Sequence, residues 1–156
     1  MGAYLVRDMI VKIGCSTVEL VSGKYKVSDF VTTYRPIGEN PPQFRYVRSL
    51  TQDFNIRFKY YLLEQIHVVN KALAADNTVT SVANVIKPSQ WKQILFNFAD
   101  EISKAAITTD PQFMKESIVV SIGSTNPDRF ETTFKYKRSG YTRIASTTAE
   151  AGFNFN

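Results

Sequence analysis

The segment from Ser117 to Lys137 restricts the possible folds of this chain most tightly. Ser117–Ile122 is a β-branched run, Asn126-Pro127-Asp128 is a turn, and Arg129–Lys137 alternates in polarity. Proline fixes its own φ, and Asn and Asp side chains bond back to nearby backbone, so the middle triplet reverses the chain. Beyond it, Phe130, Thr132, Phe134 and Tyr136 fall on one side, while Arg129, Glu131, Thr133, Lys135 and Lys137 fall on the other. A period of two marks a strand with one buried and one wet face. Two strands alone are marginal in water, so this hairpin requires a cover, either more strands or a helix.

Two stretches offer helices. Between Leu50 and Leu73, Phe54, Phe58, Leu62, Ile66, Val69 and Leu73 recur in steps of three and four, which predicts one apolar stripe along a helix that stops near Asp76-Asn77. Pro88 suits a first helical position, where its missing N–H costs nothing. Trp91, Ile94, Leu95, Phe98, Ile102 and Ala105 then form a second stripe over Pro88–Ala106, with Lys92, Asp100, Glu101 and Lys104 off it. Thr78–Ile86 takes no assignment. Asp110-Pro111 reads as an N-cap followed by a first helical residue.

Ahead of the helices, Met9–Cys15 and Thr17–Val21 read as short strands, Ser22-Gly23-Lys24 as a turn, and Asp29–Tyr34 as a third strand. Arg35–Pro42 holds three prolines and a glycine in eight residues, which predicts a loop. Tyr141–Asn156 is β-prone, lacks a helical period and carries Phe153 and Phe155 near its end. The expected order is β-β-β, α-α, β-β-β, an α+β fold with a small mixed or antiparallel sheet packed on two main amphipathic helices. Residues 1–140 form one domain in this reading, and residues 141–156 an extended arm available for intersubunit strand addition.

Composition narrows the function classes. A chain of 156 residues with 44% apolar and 13% aromatic side chains can bury a core. The single Cys15 excludes an intrachain disulfide framework. No apolar run reaches the roughly 18 to 20 residues of a membrane span, and the first residues lack the layout of a signal peptide. The net charge of +5 comes from scattered Lys and Arg residues, which favours acidic partners without specifying nucleic acid.

Catalytic, cofactor and metal sites find no support. His67 is the only histidine and sits among apolar neighbours on the first helix, so with Cys15 it cannot complete a zinc site. The glycines are isolated, so neither a P-loop nor a dinucleotide fingerprint occurs, and there is no Gly-x-Ser-x-Gly elbow. Asp100 and Glu101 are adjacent, whereas paired-carboxylate catalysis needs convergence across a cleft. Phe134, Tyr136 and Tyr141 interleave with Lys135, Lys137, Arg138 and Arg143 as in some single-strand binders. The alternation sets aromatics and lysines on opposite faces, however, whereas a stacking platform needs them together.

The ordered segments resemble the C-terminal, inner domain of contractile-tail phage sheath proteins. The resemblance is carried by Val31-Thr32-Thr33-Tyr34, Phe54-Asn55-Ile56-Arg57-Phe58, Ile86-Lys87-Pro88, Phe113 with Ser117–Val120, and Asn126-Pro127-Asp128-Arg129-Phe130, in matching order across residues 29–156. Sheath proteins are usually several times longer, so the resemblance implies either a minimal sheath component or the inner domain of a longer chain. It further implies a non-enzymatic subunit that polymerises as stacked rings around a tail tube, with baseplate components as further partners. Assembly would take place in the host cytoplasm, and the product would be the virion tail. Terminal arms in such proteins add strands to neighbouring subunits. The residues implied here are Ile118, Val120, Phe130, Phe134, Tyr136, Tyr141, Ile144, Phe153 and Phe155. A helix of this domain faces the tube, which suggests Lys92, Asp100, Glu101 and Lys104. The rival readings are another ring-forming tail or baseplate component, and a small single-stranded nucleic-acid-binding module.

Overall fold

A computed structural model of the chain describes residues 2–38 and 43–141. Its elements run α1 (Gly2–Lys12), β1 (Thr17–Val21), β2 (Lys24–Asp29), α2 (Val47–His67), β3 (Ala72–Leu73), β4 (Val85–Ile86), α3 (Pro88–Lys104), α4 (Pro111–Ser117), β5 (Val119–Ile122) and β6 (Phe130–Thr133). The class is α+β, as expected. Among the described residues the strands form three separate two-stranded sheets, antiparallel in β1–β2 and β5–β6 and parallel in β3–β4.

The core is organised by α3. Trp91, Leu95, Phe98, Ala99 and Ile102 are buried along one side of it, against Ile56 of α2, Ile86 of β4, Met114 of α4 and Ile118. The expected stripe is therefore the core stripe, apart from Ile94, which is half-buried, and Ala105, which caps the helix and is exposed. Pro88 opens α3, and the Lys87 N–H donates to Gln90 Oε1 at 3.0 Å, which satisfies a free donor at the helix start. The helix closes where the Ile107 N–H reaches the Ile102 carbonyl and the Ala106 N–H the Ser103 carbonyl, with Ala106 at φ 53°. Asp110 caps α4 by accepting from the Phe113 N–H at 2.9 Å.

The C-terminal hairpin obtains its cover from helices. Val120, Phe130, Phe134 and Tyr136 pack on the core cluster while Glu131, Thr133, Lys135 and Lys137 stay exposed, as the alternation predicts. The Trp91 Nε1–H donates to Thr132 Oγ1 at 3.2 Å, pinning β6 to α3.

The N-terminal half differs from expectation. Met9–Cys15 is not a strand, because its first residues belong to α1. Local β-branched content misleads there, because a helical C-cap ends the element. Gly14, at φ 86°, and Cys15 return N–H bonds to the Val11 and Ile10 carbonyls in a Schellman arrangement. β1 matches its predicted bounds and pairs with Lys24–Asp29, while Asp29–Tyr34, expected as a third strand, is not one. Ser22 (φ 51°) and Gly23 (φ 75°) both take positive φ, so the chain reverses over two residues and β2 begins at once. Phe30–Thr32 instead makes a short bridge to Arg45–Val47, through Thr32 N–H to the Arg45 carbonyl at 2.7 Å and Val47 N–H to the Phe30 carbonyl at 3.1 Å.

The first long helix is also displaced. It spans Val47–His67 rather than Leu50–Leu73, and Leu73 lies in β3. The previously unassigned Thr78–Ile86 contributes β4 at its end. More important, the helix packs through its other side. Gln52 and Ile56 are buried, with Tyr60 and Leu63 against the core, whereas Phe54, Phe58, Leu62 and Ile66 are exposed.

A paired substitution tests this rotation. Ile56, 1% exposed, should cost about 2–5 kcal/mol when changed to Ala. Phe58, 61% exposed, should stay within about 0.5 kcal/mol when changed to Ser. Urea unfolding of both variants measures the contrast; equal losses would place Phe58 in the core.

Candidate functional site

The hairpin and the segment leaving it form the first candidate surface. In β5–β6, Val119 faces Thr133, Val120 faces Thr132, Ser121 faces Glu131 and Ile122 faces Phe130. Pairing is prolonged beyond Thr133 by Ser117, whose hydroxyl accepts from the Lys135 N–H at 2.8 Å and donates to the Lys135 carbonyl at 3.1 Å. Ile118 is buried at the C-cap of α4, one residue before β5. Phe134 lies 5.5 Å from the Tyr60 ring and 6.3 Å from that of Tyr136. The Tyr136 hydroxyl donates to Asp53 Oδ1 at 2.9 Å, and Arg138 Nε lies 3.6 Å from the same oxygen. Burial raises the Tyr136 pKa, and the bond to Asp53 and its charge raise it further, so the hydroxyl remains a donor.

The side chains of Ile118, Val120, Phe130, Phe134 and Tyr136 therefore serve the chain's own core. What the hairpin offers outward is its backbone edges and its polar face. No third strand pairs with β5 or β6 among the described residues.

After Tyr136 the chain is held as far as Ser139. Thr109 N–H bonds the Lys137 carbonyl and Ser139 N–H the Ile107 carbonyl, each at 3.0 Å. Gln52 gathers both strands of this join, donating to the Ile107 carbonyl at 3.2 Å and the Ser139 carbonyl at 3.1 Å. Sequence reasoning missed Gln52, because a glutamine in a helix ordinarily signals solvent. Tyr141 is exposed, with the Arg48 guanidinium 4.9 Å from its ring centre and 4.3 Å from that of Tyr46. Ile144, Phe153 and Phe155, with the rest of the expected arm beyond Tyr141, lie outside the described residues.

The four charged residues of α3 lie off its buried stripe, but two are engaged within the chain. Asp100 pairs with Lys115 of α4 at 2.7 Å, and Glu101 pairs with Lys59 of α2 at 2.9 Å. Lys92 stands 5.7 Å from the Phe96 ring centre, and Lys104 is exposed in the last turn. His67 is the last residue of α2, and Cys15 is exposed just after α1. Among the described residues no three His, Cys, Asp or Glu side chains gather as a metal site, and no helix is long and apolar enough to cross a membrane.

The larger feature is apolar and was not foreseen. Leu5, Val6, Met9 and Ile13 of the α1 region are exposed, as are Val18, Leu20, Tyr25 and Val27 of β1–β2 and Phe54, Phe58, Tyr61, Leu62 and Ile66 of α2. Single exposed apolar residues are ordinary, whereas contiguous patches mark interaction surfaces. The helical spacing of Phe54, Phe58, Leu62 and Ile66 was legible as a stripe; its outward direction was not.

Asp110 connects the hairpin to α4 and carries a pH dependence. A hydrogen bond from Lys137 Nζ at 2.7 Å, then the Phe113 N–H, hold its carboxyl below the usual range. A folded pKa below the unfolded value, about 3.9 for Asp, stabilises above that value and is lost as pH falls through the folded pKa. Asp110→Asn should therefore melt below the wild type at neutral pH, and in thermal melts the gap should begin to narrow below about pH 4 and vanish only as pH falls through the lower folded pKa. A gap unchanged by acid would refute the ion-pair assignment.

No protein-family model matches the chain, and a search of curated proteins finds no match.

Proposed function

We propose that this chain is a structural, non-enzymatic subunit of a contractile phage tail sheath, polymerising in rings around a tail tube and contracting to drive the tube through the host envelope. The observation that carries the reading is the combination of one well-filled core with extensive apolar surface left open on α1, α2 and β1–β2. Such surface is a liability in a monomer and a joint in an assembly. The ordered sequence motifs supply the kind of assembly. The unpaired edges of β5–β6 are suited to strand addition by the arm of a neighbouring copy, where main-chain bonds hold and alternate side chains set the register.

Contraction in such an assembly needs no active-site chemistry. Subunits rotate as rigid bodies between two packings, and linked arms keep them together. Contacts to the tube through α3 are weak and sensitive to salt, because exposed ion pairs contribute on the order of 0–1 kcal/mol each. Weak contacts allow the tube to be released.

Electron microscopy of the purified chain with the tail tube of the same particle tests the proposal. Tubes of uniform diameter are expected, and deletion of residues 141–156 should leave a folded protein that forms no long polymers. Closed rings would assign the chain to a ring-forming component of the tail or baseplate, and dispersed particles with and without tube would overturn the reading. Lys92→Glu with Lys104→Glu should weaken co-sedimentation with the tube. Unchanged binding would remove α3 as the tube-facing helix.

A further inference from the structure

The β1–β2 hairpin is open on both faces over most of its length, with its apolar side chains gathered on one of them. Its register sets Val18 opposite Val27 and Leu20 opposite Tyr25, and the two-residue period of a strand puts all four on one face. All four are more than half exposed, Tyr25 at 81%. From the opposite face Glu19 reaches α1, where it pairs with Arg7 at 2.7 Å. The same Arg7 lies 3.4 Å from Asp29, which is buried and accepts from Thr17 Oγ1 at 3.0 Å. Burying an ionised carboxylate is tolerable only with such partners, so the Arg7–Asp29–Thr17 group, brought together by the register shift between Thr17 and Val18, anchors the base of the hairpin to α1. Beyond that anchor the apolar face stays open.

The second unmatched surface is the α2 stripe of Phe54, Phe58, Tyr61, Leu62 and Ile66. The two surfaces match in size. Phe54 to Ile66 extends about 18 Å along a helix, and strands of five to six residues run roughly 17–20 Å. They match in kind, because an apolar sheet face laid on an apolar helix stripe is an ordinary two-layer packing. They also match in area. Tyr25, Phe54, Phe58 and Tyr61 are 53–81% exposed, and aromatic side chains bury roughly 150–250 Å² each. With their aliphatic neighbours, joining the faces would cover on the order of 1,000 Å², the level at which specific interfaces begin.

We infer that the β1–β2 face of one copy seats on the α2 stripe of a second copy of this chain. Both faces belong to the same molecule and neither covers the other, so every copy presents one of each. A second copy satisfies each of these two faces with the other, and the exposed apolar residues of α1 take no part in the contact. The contact is heterologous, head to tail, and propagates instead of closing. The inference rests on the self-assembly reading above and adds to it a surface distinct from the arm and from β5–β6.

Sedimentation velocity of the full chain tests it with Leu20→Glu, which spoils only the hairpin face, and Phe58→Glu, which spoils only the stripe. Wild type should show concentration-dependent oligomers, and each variant alone should lose self-association at least tenfold. An equimolar mixture should sediment as larger species than either variant alone at the same total concentration yet smaller than wild type, because the mixture restores one good hairpin–stripe pair for every two chains. A variant that assembles like wild type, a mixture that stays monomeric although both variants melt like wild type, or a wild type monomeric throughout would each overturn the inference. A second measurement does not depend on those charges. Leu20→Cys with Phe58→Cys, in a Cys15→Ser background, should oxidise to a ladder of linked chains, and single-cysteine controls should stop at dimers. A double variant without the ladder would also overturn it. Sheath function and this contact fail separately. A Leu20→Glu chain that still coats the tail tube sinks the contact alone. A wild type that cannot coat the tube while the mixing experiment succeeds sinks the sheath role alone.

Discussion

Burial of one side of α3 is the interaction on which the rest of the structure depends. Trp91, Leu95, Phe98 and Ile102 give α2, β4, α4 and the β5–β6 hairpin a common surface, and β4, α4 and the hairpin are too short to persist without it. Trp91 contributes doubly, since its ring meets Tyr60 at 5.9 Å between centroids and its N–H holds Thr132 of β6. The polar bonds then choose among arrangements that hydrophobic burial alone would leave degenerate. Gln52 ties α2 to the join of residues 107 and 139, and Asp53 ties it to Tyr136 and Arg138. Together they select the side of α2 that faces α3.

The N-terminal region obeys the same logic with the opposite result. Around α1 and β1–β2 the interior contacts are anchored by charge, through Arg7, Asp29, Glu19 and Thr17, and among the described side chains of α1 only Val11 is fully buried. Beyond that anchor apolar side chains stay open at the surface. A chain that combines a dense core with open apolar surface on α1, β1–β2 and the outer side of α2 is suited to assembly, because the core holds the body and the surface provides the joints. In the proposed sheath role this division matters mechanically, since rigid bodies linked at several joints can exchange one packing for another without unfolding.

The legible parts of the fold were those whose signals are local. The alternation of Phe130, Thr132, Phe134 and Tyr136, the turn at Asn126–Asp128, the stripe of α3, and the starts at Pro88 and Asp110 all follow from backbone geometry within a few residues. Met9–Cys15 was misread because β-branched residues favour strands only weakly and the Gly14 cap ended a helix instead. Asp29–Tyr34 was misread because positive φ at Ser22 and Gly23 fixed an earlier hairpin register. Of the candidate surface residues, the hairpin aromatics were found but point into the chain's own core. The open faces of β1–β2 and α2 were not identified as surfaces at all.

By itself, the amino-acid sequence determined the α+β class, the α3 core stripe, the C-terminal hairpin and its inward face, because propensity, capping and period are properties of neighbouring residues. Only the tertiary structure decided which of two apolar-bearing sides of α2 is buried, that the described strands form three small sheets, and that β1–β2 shows its apolar face to the outside. The physical reason is that a period states that a face exists but not what it meets. That choice is made by distant partners such as Gln52 with the carbonyls of Ile107 and Ser139, and Arg7 with Asp29, whose sequence separation hides them from any local pattern.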